Sequence, residues 1–161
     1  MNDHPTHPAI GRILFVDKDI DMREMMESVL KNDQFLIVTV HSAEEGLQQL
    51  AVDDPFDFVI SGYTLPGMNG LRFLSLVAEL YRKSVRILMS GGFADSDEVG
   101  LAISDGFISH YVSKPFCYST FREDLKHDFA AIMALESEET ELSQGGLNRA
   151  TSALKKEHLL C

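Results

Sequence analysis

The sequence predicts an α/β protein: a five-stranded parallel sheet with helices on both faces. Three observations carry that prediction. Apolar runs of strand length alternate five times with segments of helical apolar spacing. Some of the runs, such as Ile13-Leu14-Phe15-Val16, are continuously apolar, which suits strands buried on both faces of a sheet. Each run also gives way to polar, glycine or proline residues, so such residues collect at one sheet edge, where ligands bind in folds of this class. Right-handed crossovers are expected between the strands.

In order along the chain, residues 1–11 carry Asn, His, Thr and two prolines with little to bury, and read as a mobile arm. His4 and His7 look like a metal pair, but a solvated terminus explains them more simply. The first strand runs from Arg12 to Asp17, and Asp19 is placed to cap the helix behind it. Met22, Met25, Met26, Val29 and Leu30 follow helical spacing and read as core, and Asn32-Asp33 ends that helix. Phe35–Val40 is the second strand. Ser42, with Glu45 three residues on, forms a capping box for a helix facing inward through Leu47 and Leu50.

Asp57–Ser61 is the third strand, and it opens into the stretch on which the reading turns: Gly62-Tyr63-Thr64-Leu65-Pro66-Gly67-Met68-Asn69-Gly70. A third helix shows an apolar stripe at Leu74, Val77, Ala78 and Tyr81. The fourth strand, Val85–Ser90, is broken by Gly91-Gly92. Ser96–Ser104 reads as a weak helix, with Val99, Ala102 and Ile103 as its apolar residues. His110-Tyr111-Val112 is a short fifth strand, followed by Lys114-Pro115-Phe116. A fifth helix spans about Ser119 to about Leu135, with Phe121, Leu125, Phe129 and Ile132 on one face. Beyond it the composition shifts. Glu136 to Glu141 is an acidic run, Gly145-Gly146 is a breaker, and Leu147, Ala150 and Leu154 align for a last short helix. The organisation is therefore an arm at 1–11, a domain at 12–135 and an acidic tail at 136–161.

Composition narrows the function. With 161 residues, 45% of them hydrophobic and 24% charged, the chain holds one well-buried domain and a tail. A net charge of −11 excludes sequence-independent nucleic-acid binding, which needs a basic footprint. No apolar run is long enough to span a bilayer and no signal-peptide pattern is present, so a cytoplasmic protein without a membrane partner is expected. Cys117 and Cys161 lie far apart with no metal-ligand spacing and are expected as free thiols.

The strand ends supply the candidate site. The first strand delivers Asp17, Lys18 and Asp19, the third Gly62, the fourth Ser90 and the fifth Lys114-Pro115. Each alone has an ordinary explanation, a helix cap or a turn; their arrival at one edge does not. From Arg12 to Asp128 this pattern resembles the response-regulator receiver domain of two-component phosphorelays. The resemblance implies a flavodoxin-like sheet of order 2-1-3-4-5. It also implies an acidic pair after the first strand for Mg2+ and an aspartate phosphoacceptor closing the third. A hydroxyl switch at Ser90, a coupled aromatic at Tyr111 and a phosphate-contacting lysine at Lys114, before Pro115, complete the set. Leu65-Pro66-Gly67-Met68-Asn69-Gly70 is close to that family's MPGMDG-type loop.

Two departures matter. Gly62 stands at the phosphoacceptor position, removing both a carboxylate and the nucleophile. Lys18 replaces the second acid, and Mg2+ needs hard oxygen ligands, so its site is expected to be lost. Gly91-Gly92 before Phe93 also departs from the family's usual switch loop. The expected function is a receiver-like, non-enzymatic signalling module that acts by protein–protein contact. Its expected partner is a sensor kinase or downstream effector, or a second copy through the face of the fourth helix, fifth strand and fifth helix. An alternative is a ligand-gated variant binding a small anion among Lys18, Gly62, Ser90 and Lys114, which requires the two lysines to converge rather than pair with Asp17 and Asp19. A flavin carrier or enzyme is disfavoured, because Asp17-Lys18-Asp19 is acidic where a phosphate cradle is needed and no nucleophile–base pair appears.

Overall fold

The computed structural model describes residues 9–92 and 96–145. The elements are β1 (Gly11–Val16), α1 (Ile20–Asn32), β2 (Phe35–Val40), α2 (Ala43–Val52), β3 (Phe58–Gly62), α3 (Gly70–Leu80), β4 (Val85–Ser90), α4 (Ser96–Ser104), β5 (His110–Ser113) and α5 (Tyr118–Gly145). All neighbouring strands pair in parallel, in the expected order β2-β1-β3-β4-β5. Two compact units are present, one ending at Lys114 and one beginning at Pro115.

In the first unit the two-residue alternation of the strands divides the core. Leu14, Val16, Val59 and Leu88 point to the face covered by α2 and α3, where Ala43, Leu50, Phe73, Leu74 and Val77 meet them. Val99 and Ala102 of α4 join the same cluster, so α4 is anchored despite its short apolar stripe. On α1 the buried residues are Met26 and Leu30, while Met25 is 42% exposed. The methionine stripe is thus narrower than its spacing suggests.

The caps form largely as the sequence predicts. Asp19 Oδ1 accepts the Asp21 N–H at 3.0 Å and starts α1. Ser42 Oγ accepts the Glu45 N–H at 3.3 Å and starts α2. The capping box closes one residue early, because Glu45 reaches back to the His41 N–H at 3.1 Å rather than to Ser42. Glu45 also lies 3.0 Å from His41 Nδ1, and these hydrogen bonds to His41 hold its carboxyl below the ordinary value. At the sheet edge remote from the candidate site, Asp57 Oδ2 accepts the Arg12 N–H at 2.8 Å. Arg86 clamps the turn before β5 there, donating to the carbonyls of Phe107, Ser84 and Gly106 at 2.8, 2.7 and 3.0 Å. Burial lowers the pKa of its guanidinium, which nonetheless stays charged.

The second unit carries α5, a 28-residue helix about 42 Å long. The rings of Phe116 and Phe121 meet edge-on at 5.4 Å where the helix begins. Two expectations are corrected in this unit. No break separates 135 from 136, because α5 continues through the acidic run to Gly145. Glutamate is a good helix former, and no glycine or proline intervenes before Gly145. Cys117 is a disulfide cysteine rather than a free thiol. Wide sequence spacing was weak evidence of freedom, since loop-closure cost grows only slowly with length. His4, His7, Phe93, Cys161 and the segment 147–160 lie outside the described residues.

Candidate functional site

Parallel pairing sets the strand ends side by side. Val16 lies opposite both Val40 and Ser61, Gly62 opposite Met89, and Ser90 opposite Ser113. The residues following these ends enclose a cavity of about 200 Å³ lined by Asp17, Lys18, Gly62, Tyr63, Thr64, Met89, Ser90, Gly91 and Lys114. Most of the strand-end residues singled out by sequence therefore meet here. Asp19 does not line the cavity; it caps α1 instead. Tyr111, on β5, is half-buried and packs at the margin of the α2–α3 core cluster. Pro115 begins the second unit.

Asp17 is the centre of the polar contacts. It is only 4% exposed, yet every polar atom it offers is engaged. Its Oδ1 accepts the Asp19 N–H at 2.9 Å, and its Oδ2 accepts Lys114 Nζ at 2.9 Å. Its carbonyl accepts from Arg23 at 2.6 Å, and its N–H donates to the Val40 carbonyl at 3.1 Å. Lys114 is oriented by its backbone, whose N–H donates to the Ser90 carbonyl at 2.8 Å and continues the β4–β5 ladder. The lysine thus sits across the site with its charge on Asp17, and Lys18 is exposed on the rim.

Gly62 leaves open the space beside that pair. A Cβ at this position would lie 3.2 Å from Asp17 Oδ2. Ser61 offers no substitute, since its hydroxyl turns to the other side and donates to the Gly62 carbonyl at 2.9 Å. Among the described residues, no group of three or more His, Cys, Asp or Glu side chains is arranged to hold a metal ion.

One coupling was not legible in the sequence. The Tyr63 hydroxyl donates to Glu98 Oε2 at 3.0 Å, tying the loop after β3 to α4. Tyr63 directly follows the strand-end glycine, which is a signal of sorts, but nothing in a weak helix 35 residues away marks Glu98 as its partner.

The Asp17–Lys114 pair has a measurable consequence. Lys114→Met leaves a buried carboxylate with one hydrogen bond fewer and no counter-charge. We expect a loss of about 1–3 kcal/mol, at the lower end of a buried-pair break because Lys114 is partly exposed. Urea denaturation of Lys114→Met, Asp17→Asn and the double variant gives the coupling. Additive losses in the cycle would show the lysine to be a bystander.

The family model for the response regulator receiver domain matches residues 13–126. The chain is 29% identical over 104 residues to the hydrogenase transcriptional regulatory protein HoxA of Cupriavidus necator, covering 65% of this chain and 21% of that protein. It therefore spans about a fifth of that relative's length, and 29% of the HoxA of Bradyrhizobium diazoefficiens. It is 30% identical over 121 residues to the chemotaxis protein CheY-3 of Vibrio cholerae, covering 73% of this chain and 91% of that one. The signal receiver domain of an HD domain-containing protein from Pseudomonas fluorescens superposes with a TM-score of 0.71 at 26% identity, covering 80% of this chain and 99% of that one.

Proposed function

The chain belongs to the response regulator receiver domain family of two-component signalling, and from that premise we propose that it signals by protein–protein contact without aspartyl phosphorylation. The observation that carries this reading is Gly62 at the end of β3, beside Asp17, where the resemblance requires the phosphoacceptor carboxylate. The disposition of Asp17 adds support. Both its carboxylate oxygens already accept hydrogen bonds, one of them from an ammonium. A donor set of this kind does not suit Mg2+, which demands near-octahedral oxygen ligation and sheds water reluctantly. We therefore assign the site no Mg2+, and we place the protein in the cytoplasm; no helix among the described residues is long and apolar enough to cross a membrane.

Asp17 and Lys114 then have a structural role. They hold the ends of β1 and β5 in one fixed arrangement that a kinase does not alter. The partner is a protein, a sensor kinase or a downstream effector, or else a second copy of the chain. Exposed Leu101 on α4 and Phe107 just beyond it are available apolar contacts in the first unit.

The test is intact mass after incubating the full chain with acetyl phosphate and Mg2+. No phosphoryl adduct is expected, and a hydroxylamine-sensitive adduct would overturn the reading. Sedimentation velocity of the same chain distinguishes self-association from a heterologous partner. The anion-binding alternative has less support. It needs Lys18 and Lys114 to converge on a ligand, and Lys114 is paired with Asp17.

A further inference from the structure

A second cavity, of about 390 Å³, lies in the first unit at the sheet edge opposite the candidate site, where β3 and β4 begin. Its size falls within the range of about 300–1,000 Å³ usual for small-molecule sites. Leu50 and Phe56, both buried, and the more open Leu80 and Tyr81 supply apolar walls. The frame is fixed by hydrogen bonds. Ser84 Oγ donates to the Phe56 carbonyl at 2.6 Å and the Ser84 N–H to the Tyr81 carbonyl at 3.2 Å, which ties together the two loops that border the cavity.

The charge at this cavity is mainly positive, in a chain whose net charge is −11. Arg82 and Lys83 line it, against Asp53 alone. Asp53 already has a cation nearby: its Oδ1 lies 3.6 Å from Arg12 Nη2, and the Arg12 guanidinium carbon sits 5.0 Å from the centroid of the Phe56 ring. Among the described residues the buried Arg12 Nε finds no acceptor, so this wall holds more donor than acceptor capacity. The Arg82 side chain is exposed and, among the described residues, makes no hydrogen bond or ion pair.

We propose that this cavity binds a small aromatic carboxylate, with its rings against Leu50, Leu80 and Tyr81 and its carboxylate on Arg82. The planar guanidinium fork matches a carboxylate in two parallel hydrogen bonds. The helix ends set the orientation. α2 and α3 both end at the cavity, and neither carries a basic residue in its last turn. Their C-terminal carbonyls bear partial negative charge, which directs an anion away from them and toward the loop that holds Arg82 and Lys83. A cationic ligand is the poorer occupant, because Arg82 and Lys83 repel it and Arg12 already takes the Phe56 ring. None of these residues belongs to the cavity around Gly62, so the proposal stands apart from the reading of that site.

Titration of the full chain with 2-naphthoate, followed by amide NMR, tests the proposal. Saturable shifts are expected at residues 50–56 and 80–84. Naphthoate is expected to bind about tenfold more tightly than the uncharged 2-naphthamide, and Arg82→Glu to weaken naphthoate by about as much while leaving the amide unaffected. Arg82 is exposed, so this variant keeps the fold, and the same spectra verify it. Arg72→Glu, an equal change of charge at the other end of α3, is expected to bind as the unaltered chain does. Absence of saturable shifts at millimolar naphthoate, or shifts centred elsewhere, would overturn the proposal. Equal affinity for acid and amide would do the same, as would unweakened binding in Arg82→Glu.

Discussion

Gly70→Ala is expected to destabilise the first unit by about 4 kcal/mol, well above an ordinary surface change. The cause is a single close approach. A Cβ at Gly70 would lie 1.8 Å from the Gly62 carbonyl oxygen and 2.8 Å from Ser61 Oγ, and the atom met first is backbone. It cannot swing away as a flexible side chain would, so the first turn of α3 must move instead. That turn is held by the Gly70 N–H, which donates to the Tyr63 carbonyl at 2.7 Å, and by the Asn69 cap on the Arg72 N–H at 2.9 Å. Behind it α3 buries Leu71, Phe73, Leu74 and Val77, so a shift of its first turn loosens core packing as well. Gly91→Ala is the control. Among the described residues nothing lies within 4 Å of a Cβ there, and the change is expected to stay within about 0.5 kcal/mol of neutral. Urea midpoints of the two variants at unchanged m-value decide the matter. Equal midpoints would mean that α3 can back away from β3 freely.

Gly70 also shows what sequence reading reaches. Its place at the end of a Pro/Gly-rich loop was plain from the residues, but the reason for it, contact with the carbonyl of the strand-end glycine, requires the fold. The strands were legible because Ile13–Val16, Phe35–Val40 and Phe58–Ile60 are apolar runs of strand length, and a parallel sheet accepts little else. The candidate site followed from the strands, since residues that end parallel strands share an edge. Besides the state of Cys117, three things escaped. The length of α5 was hidden because four glutamates erase the apolar period without weakening the helix. Which of Asp17 and Asp19 takes Lys114 depends on side-chain direction. Asp19 turns to cap its own helix, leaving Asp17 for a lysine 97 residues away. The Tyr63–Glu98 hydrogen bond joins a half-buried tyrosine to an exposed glutamate that no periodicity connects to it.

The largest functional effect is expected from rebuilding the acidic site. Gly62→Asp alone is expected to yield only trace phosphoryl adduct with acetyl phosphate and Mg2+, whereas Gly62→Asp with Lys18→Asp is expected to yield at least about tenfold more. The space is sufficient: a Cβ at 62 meets Asp17 Oδ2 first, at 3.2 Å, with the Val16 carbonyl oxygen at an ordinary 3.7 Å, and the cavity of about 200 Å³ lies open beside it. The obstacle is charge. A carboxylate placed there joins Asp17 around the Lys114 ammonium, which then satisfies both acids and competes with a divalent cation for the same oxygens. Lys18 adds a second positive charge on the rim of the same cavity, where its exposed side chain is free to swing toward the new acid. Replacing it with aspartate changes the local charge by two units and supplies a third carboxylate, the kind of hard-oxygen set Mg2+ takes. Lys18→Asp alone separates ligand from acceptor and is expected to give no adduct, since Gly62 still offers no nucleophile. Intact mass across the three variants, with and without Mg2+, reads all of this. Equal adduct in the single and double variants would show that Lys18 does not govern the pocket, and would leave Gly62 as the whole reason for its silence.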